Sequence, residues 1–201
     1  MTETVFNKVD YTVGELIEAV ELGSIELPGV QRPFMWKNDK ICNLFASMYR
    51  GAPAGGMIFW GNACTGDVKT ISHNGQRETP KLQVVDGQQR LTSLYAVLKG
   101  TPVVRRNDEE ELIEIAFNPL LEKFEVADET IRNDKAYIPN ISVLWNDGAD
   151  PLTIVESYIE SLESAEDVST EERKQIGQAV ARLQSLTDFP FTAHELSAVV
   201  I

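Results

Sequence analysis

Residues 82–95, LQVVDGQQRLTSLY, decide how the chain is read. Leu82 to Val85 form a short β-prone run, and behind Asp86-Gly87 the positions Leu91, Leu94, Tyr95 and Leu98 fall at helical spacing, with Gly100 as a stop. The pattern predicts a strand over 82–85 turning at once into a helix over 87–99. Three long polar side chains, Gln88, Gln89 and Arg90, stand where that helix opens. A helix N-terminus offers unpaired N–H groups and a partial positive charge, so it attracts phosphate. Gly87 lets a ligand approach the backbone. Arg90 offers a planar fork of donors, Gln88 or Gln89 a bond to a second phosphate, a base edge or a water, and Asp86 a cap or a ligand for a divalent ion. The Gly-x-x-x-x-Gly-Lys-[Ser/Thr] pattern is absent, so this is not a P-loop. The same residues also fit a capping box, with Asp86 as N-cap and Gln89 reaching back. Both readings stand at this level.

A second stretch, LPGVQRPFMW over 27–36, again sends a Gln-Arg pair out of a short strand. Gln31 and Arg32 precede Pro33, and Phe34 and Trp36 follow. Two such pairs at strand exits on one sheet edge could converge on one anion. Alternatively, Arg32 is a surface residue of a proline turn packed on Trp36.

The order of these features carries a resemblance. IELPGVQRPFMWKNDKICNLFASMYRGAPAGGMIFWGN over 25–62, followed by LQVVDGQQRLTSLYAVLKG over 82–100, resembles the N-terminal domain of GmrSD-type restriction endonucleases, of the ParB/sulfiredoxin-like superfamily. The resemblance is specific over residues 10–100 and loose beyond. It implies an α/β fold: a small mixed sheet with flanking helices, plus a C-terminal strand and helical insertion. It also implies a domain that binds a nucleoside triphosphate (GTP or another NTP) with Mg²⁺, and hydrolyses it to control cleavage of modified foreign DNA. On this reading Gln31, Arg32, Gly87, Gln88 and Arg90 bind nucleotide, Asp86, Gln89 and Arg90 are catalytic, and Asp86 holds the metal. Trp36 matches the family's aromatic and is expected to pack rather than stack on a base. A Phe-Glu-Arg-Ile-Asn-like motif and a His-Asn-His-type nuclease domain are expected on a longer chain. Without them, nucleotide turnover by this chain is left open, and contact with DNA is expected through the full-length protein.

The remaining sequence sets bounds. With 201 residues and 43% hydrophobic content the chain can bury one sizeable core. It divides into a core over 1–100 and an acidic strand and helix extension of the same domain over 101–201. The net charge is 10 − 10 = 0 over residues 1–100 and 8 − 21 = −13 over 101–201, which opposes a broad DNA-gripping surface but leaves the first half free for a local anion site. No apolar run suits a membrane span and no secretory signal opens the chain, so a cytoplasmic location is expected. Cys42 and Cys64 read as buried free thiols, and His73 and His194 are too few for zinc. His73 could approach the site as an acid or base.

Helices are expected from Thr12 with Glu15 as a capping box, from Asn38 as a cap with Ile41, Leu44, Phe45 and Met48 inward, from Asp150-Pro151, and from Ser169 or Thr170. Strands are expected at 24–28, 55–61, 111–119, 121–128, 135–145 and 197–201, with a polar loop over 61–80. Asp108 to Glu111 reads as a solvated turn or strand entry, and Glu160, Glu163, Glu166, Glu171 and Glu172 as wet helix faces. Two other functions compete with the NTPase reading: a ParB-like nuclease cleaving phosphodiester bonds directly, and a non-catalytic module docking a protein through its acidic half.

Overall fold

The computed structural model describes residues 6–27, 33–61, 81–165 and 167–196. Thr12 forms the expected capping box with Glu15 and opens α1 (Val13–Glu21), which turns Val13, Leu16 and Ile17 inward. α2 (Asn38–Tyr49) buries Ile41, Leu44, Phe45 and Met48 as its spacing requires. α3 (Gln88–Lys99) buries Leu91, Leu94 and Leu98 and ends at Gly100. Both helices are amphipathic in sequence, so burial of one stripe fixes their orientation.

The main sheet has the order β1-β9-β3-β4-β2, where β1 is Phe6–Thr12, β2 Ile25–Glu26, β3 Met57–Gly61, β4 Leu82–Asp86 and β9 Pro190–Leu196. β1 runs antiparallel to β9 and β3 antiparallel to β4, while β9 with β3 and β2 with β4 are parallel. This is a mixed α/β fold. Pro190–Leu196 sits between β1 and β3, so the sheet draws strands from both sides of the 100/101 boundary. Phe59, Met57, Val84, Ile25, Phe191 and Ala193 enter the core from the sheet. Burying one such aromatic or aliphatic side chain contributes about 1.5–3 kcal/mol, which makes this shared face the main support of the sheet.

Small elements fill the middle of the chain. β5 (Val103–Val104) pairs with β6 (Glu110–Glu111), and β7 (Ile115–Asn118) with β8 (Lys123–Val126), before the short α4 (Glu129–Asn133). α5 (Pro151–Glu163) takes Asp150 as its cap with Pro151 in the first turn, and α6 (Thr170–Gln184) opens on a Ser169–Glu172 capping box.

Several expectations need correction. The strand over 111–119 is two short strands, Glu110–Glu111 and Ile115–Asn118. The strand over 135–145 reduces to one bridge, Ile138 with Phe117, and a 3-10 turn at Ile141–Leu144. Pro139 has no N–H to continue a ladder, and the Asn140 side chain accepts from Ser142 N to start the turn instead. β1 and β9 were unexpected, because FNKVDYT and PFTAHEL are too polar to read as strands until each supplies the other's hydrogen bonds. Asn38 is not a cap: α2 starts after Lys37 without a side-chain cap, and Asn38 is spent on Glu111 and Arg105. Expectations for residues 28–32, for the loop beyond Gly61 with Cys64 and His73, for Glu166 and for the strand over 197–201 fall outside the described residues.

Candidate functional site

Strand direction brings three segments to one end of the sheet. β2 and β4 are parallel neighbours, so the chain leaves both on the same side; β3 is antiparallel to β4, and its start lies beside the end of β4, with Ile58 opposite Asp86. The backbone of 33–37, Gly55-Gly56 and the turn Asp86-Gly87 therefore meet.

Gly87 is the N-cap of α3 at φ 90°, a left-handed conformation that favours glycine. A Cβ there would stand 3.0 Å from Met57 Cγ. Gly55 is also left-handed, at φ +88°, and a Cβ on it would stand 2.5 Å from Arg90 Nη2 and 2.9 Å from Cζ. The Arg90 guanidinium thus occupies space that any larger residue at 55 would fill. Its Nη1 donates to Gly56 O at 2.5 Å, and its Nε is buried without a hydrogen-bond partner. No carboxylate among the described residues forms an ion pair with it. Burial lowers the Arg90 pKa from its ordinary value, and the charge of Asp86 opposes that shift. A guanidinium remains cationic under either influence.

Asp86 is exposed at the end of β4 and does not cap α3, whose N-cap makes no side-chain hydrogen bond. The capping-box alternative is therefore not realised. Gln89 turns its carboxamide outward to the neighbouring loop: Oε1 accepts from Met35 N at 2.7 Å and Trp36 N at 3.2 Å, and Nε2 donates to Pro33 O at 3.3 Å. The chain immediately after Gln31 and Arg32 is thereby tied to the opening turn of α3. Gln31 and Arg32 themselves lie outside the described residues.

Arg105 secures the same loop from the far side. Its Nη1 donates to Trp36 O at 2.5 Å, Nη2 to Asn38 Oδ1 at 2.7 Å and Nε to Glu111 Oε2 at 2.5 Å, and it lies 4.9 Å from the Phe34 ring centroid. The Arg105 bond, with a second from Asn38 Nδ2 to Glu111 Oε1, holds the Glu111 carboxyl below its ordinary pKa. Glu111 lies in β6, in keeping with the strand-entry reading of Asp108 to Glu111, and its carboxylate also accepts from Asn38 and Arg105.

Among the described residues, Trp36, Val85 and Asp86 to Arg90 line a cavity of about 170 Å³. Trp36 and Arg90 also border a second one of about 260 Å³, and Lys40 sets its ammonium 4.1 Å from the Trp36 ring centroid. Trp36 is therefore a cavity wall as well as a packing residue. Gly55, Lys40 and Arg105 were missed as site residues. The small-residue run before β3 was a signal for Gly55; nothing local marks Arg105, whose partners Trp36 and Asn38 are 69 and 67 positions away.

For Mg²⁺, the fit is to a single carboxylate. No group of three or more metal-ligating side chains occurs among the described residues, whereas exposed Asp86 beside an open helix N-terminus suits an ion that keeps waters and takes its other oxygens from phosphates.

These features define a mixed α/β domain with a strand-to-helix turn that carries Asp86 and Arg90 and has no side-chain cap. The family model for the N-terminal domain of the GmrSD restriction endonuclease matches residues 13–198, and the chain belongs to that family. Its setting is accordingly that of a restriction endonuclease. No curated protein matches the chain. No helix among the described residues is long and apolar enough to cross a membrane.

Proposed function

We propose that the turn joining β4 to α3 binds the phosphates of a nucleoside triphosphate carried with Mg²⁺, and that the domain hydrolyses it to regulate a nuclease acting on modified DNA. The observation carrying this reading is Arg90: a half-buried guanidinium, held against two left-handed glycines at an open helix N-terminus, with no ion pair to a carboxylate among the described residues. Partly burying a cation outside a direct ion pair is costly, and an anionic ligand at the α3 N–H groups would offset that cost.

In this scheme Arg90 stabilises phosphate charge and the Gly87 backbone permits close approach. Asp86 would hold Mg²⁺, whose contribution when bound is charge neutralisation on the phosphate oxygens. Gln89 positions the 33–36 loop, from which Gln31 and Arg32 would form a second phosphate arm, and Gln88 lines the cavity. Catalysis would come from positioning and charge stabilisation, with no covalent intermediate. A nuclease domain on a longer chain, and DNA through it, are the partners this scheme needs, in the cytoplasm.

Titration of labelled NTP with Mg²⁺ into the wild type and Arg90→Ala tests it. Loss of a charge-assisted contact should cost about 1.5–3 kcal/mol, roughly a tenfold to hundredfold rise in Kd. Unchanged affinity in Arg90→Ala would remove the phosphate role from this turn.

A further inference from the structure

The second cavity lies across Trp36 and Arg90 from the phosphate turn. Its outer wall comes from one stripe of α2, Lys40, Asn43 and Ser47, spaced at i, i+3 and i+7, and from Pro53 and Ala54 just before Gly55. Neighbouring α2 positions Ile41, Cys42, Phe45 and Met48 are buried, so Asn43 and Ser47 are polar groups that face this cavity and not the core. Ser47 Oγ donates to Asn43 O at 2.8 Å, which leaves its lone pairs as acceptors.

We infer that this cavity is the nucleoside subsite of the NTP site, receiving the base and ribose while the triphosphate lies at α3, with Asn43 and Ser47 as its specificity-determining pair. The inference rests on the phosphate reading of Arg90. Cavities of about 170 and 260 Å³ each fall below the roughly 300–1,000 Å³ of small-molecule sites, and they reach that range only when one ligand spans both. A nucleotide is such a ligand, with an anionic end and an amphipathic one. The cationic end of the pair is Arg90 with the open helix terminus. The other end combines the apolar flank of Pro53 and Ala54 with a carboxamide, which offers a donor and an acceptor together and can pair with two adjacent groups on a base edge. Lys40 occupies one face of the Trp36 indole, so Asn43 and Ser47, not stacking on that face, are left to distinguish bases.

Isothermal titration of the four NTPs and of inorganic tripolyphosphate, each with Mg²⁺, decides the point. The wild type should bind its preferred NTP at least tenfold more tightly than tripolyphosphate. The double variant Asn43→Ala/Ser47→Ala should lose that advantage and keep its tripolyphosphate affinity, whereas Arg90→Ala should weaken both ligands. Should the double variant fail to fold, Asn43→Asp, which removes the donor but keeps the shape, should reorder the four NTPs. Equal wild-type affinity for NTP and tripolyphosphate, or an NTP preference untouched by these variants, overturns the subsite and leaves the phosphate reading intact. A wild type that binds neither ligand overturns both.

Discussion

The N-termini of α3 and α6 are built on opposite plans. At α6, Ser169 accepts from Glu172 N while the Glu172 carboxylate accepts from Ser169 N, and Glu171 and Glu172 place negative charge in the first turn. The helix satisfies its own orphan donors and its own dipole. At α3 the cap is a glycine without a side chain, the first turn has no acid, and it carries Arg90. α2 also lacks a side-chain cap, and its N-cap, Lys37, follows Trp36 directly. The helix ends around the cavities are thus the open ones, while α1, α4, α5 and α6 close theirs locally. Local satisfaction stabilises an element; an unsatisfied terminus leaves donors for something else.

The strongest way to break this contrast is Arg105→Ala. Removing a guanidinium that bonds Trp36 O, Asn38 and Glu111 leaves partly buried groups unpaired, and should cost about 2–3 kcal/mol in chemical denaturation while loosening the Trp36 wall and lowering NTP affinity. Arg105→Lys should recover little of either, since a single ammonium cannot reproduce the planar fork. Stability unchanged in Arg105→Ala would mean that the loop is held by Gln89 alone.

Gly55→Ala should come next. The left-handed backbone costs a side chain roughly 1–2 kcal/mol, and the added Cβ collides with the Arg90 guanidinium. NTP affinity should fall as far as in Arg90→Ala although the arginine is still present. A variant that loses stability but binds normally would show that Gly55 serves only the backbone.

Ser169→Ala reverses the pattern. It removes a capping box worth about 1 kcal/mol, lowering Tm by roughly 2–4 °C in a chain of this size, and should leave NTP binding untouched. Arg90→Ala should do the opposite.

The smallest effect concerns pH. Arg105 holds the folded Glu111 pKa below its ordinary 4.5, so the pair's contribution is present above that value and is lost as pH falls through the folded pKa. The Tm difference between the wild type and Glu111→Gln should therefore narrow as pH drops from 7 to 3. A constant difference would mean that the carboxylate charge adds nothing to the hydrogen bonds.

What the sequence determined by itself was local. Helix stripes such as Ile41, Leu44, Phe45 and Met48, the box at Thr12, and the junction of Leu82–Asp86 with α3 depend on residues within a few positions of one another, so spacing and propensity sufficed. The DGQQR turn was legible for the same reason, and so was the family. Tertiary structure decided everything that depends on a distant partner. FNKVDYT is a strand because PFTAHEL, far along the chain, supplies its backbone partners, and PFTAHEL is one because it lies between β1 and β3 and pairs with both. Asp86-Gly87-Gln88-Gln89 reads equally as a capping box or an open terminus. The choice fell to the open terminus because Gly87 takes a left-handed cap while the backbone of Met35 and Trp36 claims the Gln89 carboxamide. Arg105 and Glu111 had no local pattern at all; their meaning came from packing a short hairpin against the loop that carries Trp36, and only a folded chain brings those groups within hydrogen-bond reach.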